Sequence, residues 1–310
     1  MSSVFTRRSL LTVLSAAPLA PLAQGFSGTR IRLGGPVFIQ SEDPEEIARE
    51  HRRLGYSAAT CPKAKSDDKD RVRAIQNAFS KHDVLVAEVG AWVNMLDPDA
   101  AKRKANLDYV TERLALAEAV GARCCVDIAG SFHPTVWYGI YPRSLSKEAF
   151  DSTVQNCRQV IDAIKPTRTK FSIEMQVGLE PGDPDGYVKL VKAVDRRAFG
   201  VHLDVCNTID SPQLLYASAA RIQECFQKLG RWVLSCHAKD LEPVYDGYNV
   251  HFAETIPGRG YVDYKTYLTE LAKMPVETPL ILEHLKSAEQ YDEARKHILK
   301  VGAEAGVAFA

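Results

Sequence analysis

The sequence predicts a single closed α/β barrel, the (β/α)8 or TIM-barrel class, on three observations. Apolar runs of strand length alternate with helix-length stretches eight times between Arg30 and Ala310. No glycine-rich phosphate loop follows the first strand, which favours a barrel over a doubly wound sheet. Four successive runs also end alike: Phe171-Ser-Ile-Glu174, Gly200-Val-His-Leu-Asp204, Trp232-Val-Leu-Ser-Cys-His237 and Pro279-Leu-Ile-Leu-Glu283. Each delivers a side chain able to bind a metal at the C-terminal end of a strand, where such a barrel places its active site.

Ile31 to Ile39 reads as the first strand and Asp43 to Leu54 as its helix. Tyr56 to Thr60 and the helix Asp68 to Lys81 form the second unit, and Val84 to Val89 the third strand. In the long helix predicted from Asp99 to Val120, Leu107, Val110, Leu114 and Ala117 follow helical spacing. The fourth unit is Arg123 to Ile128 with Lys147 to Ile164, the fifth Phe171 to Val177 with Asp185 to Val194. Phe199 to Val205 precedes one helix from Ser211 to Leu229, striped by Leu215, Ala219, Ile222, Phe226 and Leu229. Trp232 to Ala238 is followed by a longer loop, containing Pro257 to Asp263, and by the helix Tyr264 to Lys273. Leu280 to Leu285 and Ala288 to Ala303 close the ring. Gly55, Gly121 and Gly230 stand where helices hand over to strands, the place of a C-terminal cap.

The length of 310 residues suits one barrel of about 250 residues after a short leader. Lysine plus arginine and aspartate plus glutamate balance at 39 each, so no global field attracts a polyanion and no nucleic-acid partner is expected. Residues 1–29 read as an export signal: Arg7 and Arg8 precede an uncharged, Ala-, Leu- and Pro-rich stretch resembling a twin-arginine leader. Pro18 and Pro21 interrupt that stretch, which argues against a stable membrane span. The expected location is therefore the periplasm, or the cytoplasm if the leader does not function. Residues 30–310 form the catalytic domain. The seven cysteines are odd in number and irregularly spaced, so they read as small core residues rather than a disulfide framework.

Three carboxylates and one imidazole suit a hard or borderline divalent cation. Glu174, Asp204, His237 and Glu283 are thus the candidate metal ligands. Strand alternation puts His202 on the face of Asp204 and Lys239 near His237, with Gln176 and Glu180 extending the polar pocket. Arg259, flanked by Gly258 and Gly260, either meets an anionic group of the ligand or caps a turn. His133, Trp137, Tyr138 and Tyr141 make an aromatic loop able to wall a sugar pocket. Glu88 and Asp127 read as supporting carboxylates or internal ion pairs.

At Ser-Ile-Glu174, His-Leu-Asp204-Val-Cys-Asn207, Cys-His237-Ala-Lys239-Asp240, Pro-Gly-Arg-Gly-Tyr-Val-Asp263 and Leu-Glu283 the chain resembles the xylose-isomerase-like barrel superfamily. That superfamily includes sugar-phosphate isomerases and epimerases, ketose 3-epimerases and inosose dehydratases. The resemblance implies one divalent ion, Mn²⁺ first and Mg²⁺, Co²⁺ or Zn²⁺ as alternatives, held by Glu174, Asp204, His237 and Glu283. It also implies that Glu174 and Glu283 move the substrate proton, and that the position of Asn207 contacts substrate. Ketose epimerases carry histidine there, and the stretch around Lys239 looks closer to the inosose-dehydratase branch. The implied activity is isomerisation or epimerisation of a sugar or keto-sugar by proton abstraction beside a carbonyl. The alternatives are a lyase or dehydratase acting on a keto-sugar, keto-glycoside or inosose, and a non-catalytic sugar-binding or scaffolding barrel. The partner is a small carbohydrate; a homo-oligomer is left open.

Overall fold

The computed structural model describes residues 28–310, so the leader expected over residues 1–29 lies outside the described residues, apart from Gly28 and Thr29. The chain runs β1 (Arg32–Gly34), α1 (Pro44–Arg53), β2 (Ala58–Thr60), α2 (Lys69–Lys81), β3 (Leu85–Gly90), α3 (Ala100–Val120), β4 (Cys124–Ile128) and α4 (Lys147–Ile164). It continues with β5 (Phe171–Glu174), α5 (Pro184–Val194), β6 (Phe199–Asp204), α6 (Pro212–Tyr216), α7 (Ser218–Leu229) and β7 (Val233–Ala238). The hairpin β8 (Asp240–Val244) and β9 (His251–Thr255), α8 (Tyr264–Ala272), β10 (Pro279–Leu282) and α9 (Ala288–Glu304) complete it. Strands β1 to β7 and β10 form a closed, all-parallel ring in the order β1-β10-β7-β6-β5-β4-β3-β2, a (β/α)8 barrel.

Helix starts are set locally. Asp43, Asp68, Asp99, Ser146, Asp183, Ser211, Asp263 and Ser287 each precede a helix and accept a hydrogen bond from an amide of its first turn. Pro44, Pro184 and Pro212 occupy first-turn positions whose missing N–H costs nothing there. Burying the apolar stripe of each helix against the outer faces of the strands builds one continuous core, with Ile75, Val110, Leu114, Val160 and Ile298 from helices and Leu33, Cys125, Ile173, Leu203 and Leu280 from strands. All seven cysteines are free and six are buried, as their composition implied.

Several boundaries differ from expectation for identifiable reasons. The first strand stops at Gly34 because Gly35 and Pro36 follow, and proline donates no ladder hydrogen bond. The expected helix 211–229 is two: α6 ends at Ala217 (φ −107°, ψ 27°), where Ser218 Oγ donates to Tyr261 O at 2.7 Å and accepts from Asp263 N at 3.1 Å. Gly121 caps α3 in the left-handed region at φ +77°. Gly230 does not act this way: at φ −45° it continues into a short 3-10 turn. The long loop after β7 contains the β8–β9 hairpin, which the sequence pattern did not show.

Candidate metal centre

Strands β5, β6 and β7 end on or beside Glu174, Asp204 and His237, and Glu283 follows β10 directly. Because these strands lie side by side in a parallel ring, equivalent positions fall at one height above the barrel: Asp204 pairs with His237 in register, and His237 with Ile281. Ligand atoms of the four side chains lie within 4.8 Å of one another. His237 Nδ1 sits 2.8 Å from Glu174 Oε1, 2.8 Å from Glu283 Oε1 and 4.0 Å from Asp204 Oδ2.

Charge decides what this cluster can hold. Nδ1 carries at most one proton and can donate it to only one carboxylate, yet two oxygens crowd it equally. Its other nitrogen, Nε2, faces Glu88 Oε2 at 3.3 Å. Glu88 is itself fixed by His202 Nε2 at 2.9 Å and by the Ser235 hydroxyl. A carboxylate accepting from Nε2–H leaves the Nδ1 lone pair toward the mouth, the tautomer that coordinates a cation. Asp204 Oδ2 is buried and 2.9 Å from Lys239 Nζ but out of hydrogen-bond alignment, so it too lacks a partner. A divalent cation among these atoms resolves all three deficits. The donor set fits one.

Protonation follows the same crowding. Burial opposes charge on Glu88, Glu174 and Glu283, but the imidazoles beside Glu88 and Glu174, and His237 with Lys239 beside Glu283, hold all three below the usual carboxylate range. Burial raises Asp204 despite Lys239. Burial likewise disfavours the cationic forms of His237 and Lys239, yet Glu283 and Glu174 lift His237, and Asp204 and Glu283 lift Lys239.

A cavity of about 540 Å³ opens over the cluster. Its polar lining is Glu174, Gln176, Asn207, Lys239, Glu254, Glu283 and His284, and its apolar and aromatic lining is Trp92, Ile128, Trp137 and Tyr138. Of the residues expected to touch a ligand, Asn207 and Lys239 border this cavity. Three do not. His202 shares the face of Asp204 but lies deeper in the barrel, fully buried, with its ring 4.2 Å from that of His237, so it supports Glu88 instead. Glu180 leaves the strand direction because β5 ends at Glu174 and the chain turns at Gly178 (φ +73°). Arg259 forms a bidentate pair with Glu293 of α9 and borders only a smaller adjoining recess of about 160 Å³. Among the described residues Asp127 makes no ion pair; it accepts from the amides of Val93 and Ile128.

Sequence reading passed over Trp92, Glu254 and His284. Trp92 (φ +53°) and His284 (φ +61°) both hold left-handed backbone that non-glycine residues rarely adopt. Gly90 lets the Trp92 indole fold back over the mouth, since a Cβ there would collide with the ring. Glu254 arrives from β9 and accepts from His284 Nδ1 at 2.8 Å. Only the adjacency of His284 to Glu283 was visible as a cue.

Fold and site together define a parallel α/β barrel with a metal-capable carboxylate–histidine mouth. The chain belongs to the xylose isomerase-like TIM barrel family, whose model matches residues 48–301. Solved structures share the fold. A xylose isomerase-like TIM barrel protein from Mycobacterium smegmatis, in complex with magnesium, is 20% identical at TM-score 0.60, covering 85% of this chain and 89% of that one. The 3-keto-D-glucoside 4-epimerase of E. coli is 13% identical at TM-score 0.62, covering 88% and 100%. D-psicose 3-epimerase from Clostridium cellulolyticum H10, with D-tagatose, is 13% identical at TM-score 0.63, covering 89% and 99%. No curated protein sequence matches the chain. Among the described residues no helix is long and apolar enough to cross a membrane.

Proposed function

We propose that this protein is a divalent-metal-dependent isomerase or epimerase that removes a proton beside the carbonyl of a sugar or keto-sugar. The observation that carries the reading is the convergence of Glu174, Asp204, His237 and Glu283 within 4.8 Å, with Glu174 and Glu283 bordering a cavity also lined by Trp92, Trp137 and Tyr138. Glu174, Asp204, His237 and Glu283 would hold the ion, Mn²⁺ before Mg²⁺, Co²⁺ or Zn²⁺, which would supply Lewis acidity for negative charge developing on the substrate. Glu174 and Glu283 border the cavity and are held as carboxylates, so each can take a proton from carbon or return one. Lys239 is kept cationic by Asp204 and Glu283; it serves as a fixed positive charge for a developing oxyanion rather than as a base. Trp137 and Tyr138 offer ring faces to the apolar side of a sugar, while Asn207 and Gln176 meet hydroxyls.

A second reading is supported by the size of the cavity. About 540 Å³ lies in the range of drug-sized ligands, roughly 300–1,000 Å³. It holds a keto-glycoside as readily as a free sugar, and from a keto-glycoside or inosose the same proton removal leads to elimination. The twin-arginine-like leader extends the proposal to an exported protein; native material whose N-terminus is Met1 or Ser2 would oppose it. The activity is tested by incubating the metal-loaded protein in D₂O with ketoses, inososes and 3-keto-glycosides. Deuterium appearing beside the carbonyl, with an isomer or an eliminated product, is expected. Absence of exchange and of product across the panel would leave sugar binding without turnover.

A further inference from the structure

At the pole opposite the mouth, cations stand at the start of three neighbouring strands: Arg123 before β4, Lys170 before β5 and Arg197 before β6. A cavity of about 390 Å³ lies there, lined by Pro166, Thr167, Thr169, Lys170, Arg197 and Ala198. Among the described residues, no carboxylate comes within 4.0 Å of Lys170 or Arg197, whereas neighbouring Arg196 is held by Asp162. The carboxylates nearby are already engaged. Glu277 pairs with Arg30 and Arg32. Glu118 accepts from the amides of Thr167, Arg168 and Thr169 and from the Thr167 hydroxyl, which saturates it and rigidifies the cavity wall. Thr169 is 3% exposed, and among the described residues its hydroxyl has no partner. Lys170 is half-buried, and burial together with Arg197 and Arg123 disfavours its charge. Two cations that share a cavity wall with no carboxylate beside them leave a positive field in that cavity, which favours an anion there.

We propose that the N-terminal pole of the barrel holds an oxyanion site for a phosphate group, built from Lys170, Arg197 and Thr169. The Arg197 guanidinium offers two parallel donors and Lys170 a compact charge, the combination that recognises a tetrahedral, doubly charged oxyanion. The phosphate is either free or carried by a small phosphorylated molecule. The site is independent of the metal centre, and its occupancy does not rest on the activity proposed above.

Isothermal titration of the full, metal-loaded chain with inorganic phosphate, at ionic strength held constant with chloride, reads the site directly. Saturable binding is expected, weakened at least about fivefold by Lys170→Gln and by Arg197→Gln, the loss expected for one charge-assisted contact. Arg197 is exposed, so its substitution leaves the fold intact. A second arm uses phenyl phosphate: tighter binding than inorganic phosphate, lost in the same variants, assigns a phosphorylated molecule, and weaker binding assigns the free anion. No saturable heat with wild type, or binding that persists unchanged in both variants, would overturn the proposal.

Discussion

The two halves of the barrel share one architecture and differ in what their strands deliver. Strands β1 to β4 end at Gly34, Thr60, Gly90 and Ile128, whereas β5, β6, β7 and β10 lead into Glu174, Asp204, His237 and Glu283. The cavity divides along the same line. Its first-half lining is Trp92, Ile128, Trp137 and Tyr138; its second-half lining is entirely polar or charged. One half therefore supplies shape and apolar surface, the other charge and the candidate metal ligands. A sugar ring, with apolar C–H faces and a polar rim, matches that division. Glu88 of β3 crosses this division, reaching across the barrel interior to His237.

The division can be broken most severely from the polar side. Glu174→Gln or Glu283→Gln keeps the shape but removes a basic carboxylate, so turnover should fall by at least about 10²-fold. Exchange of the substrate proton with solvent checks this; unchanged exchange in either metal-loaded variant would remove that residue from the chemistry. Glu88→Gln tests the crossing. Losing the carboxylate behind a ligating histidine weakens metal affinity by about 10- to 100-fold, which a competition titration measures. Affinity equal to wild type would confine Glu88 to a packing role.

From the apolar side the effect should be smaller and of a different kind. Trp137→Ala removes stacking surface used equally by substrate and transition state, so KM should rise while kcat holds, by about 0.5–1.5 kcal/mol of lost binding. A fall in kcat with unchanged KM would mean that the wall orients the reacting groups. The smallest effect lies outside the mouth. His51 in α1 is buried against Tyr56 and Phe79, with Nδ1 against Ile47 O at 2.8 Å. Burial lowers its pKa below the ordinary 6.5, so the unfolded chain binds that proton more readily. Stability should therefore be lost as pH falls below 6.5 toward the folded value, and His51→Gln should flatten that slope in denaturation curves. Equal slopes in both proteins would place the acid sensitivity elsewhere.

The same contrast explains what the sequence disclosed. The second half was legible because a strand's alternation fixes which side chain faces the mouth, and a charged residue closing an apolar run stands out. All four candidate ligands converge as their positions implied. The first half was harder to read. Trp92 reaches the cavity through a left-handed residue and a glycine whose missing Cβ makes room, neither of which has a periodic signature. Glu254 lies on β9, which follows a stretch that looks like loop because Pro243 interrupts β8 and Gly247 stands between the two strands. Glu180 and Arg259 were read by continuing a strand direction or a loop motif beyond the point where the backbone turns. His202 was placed on the correct face, but depth along a strand is set by barrel stagger, which spacing alone does not reveal.

We propose that Glu174, Asp204, His237 and Glu283 form one metal site. Titration of chelator-treated protein with Mn²⁺, in wild type and in His237→Ala, reads that site itself. One ion per chain is expected in wild type and loss of that binding in the variant, with the fold retained by circular dichroism. No stoichiometric binding in wild type, or undiminished binding in folded His237→Ala, would contradict it.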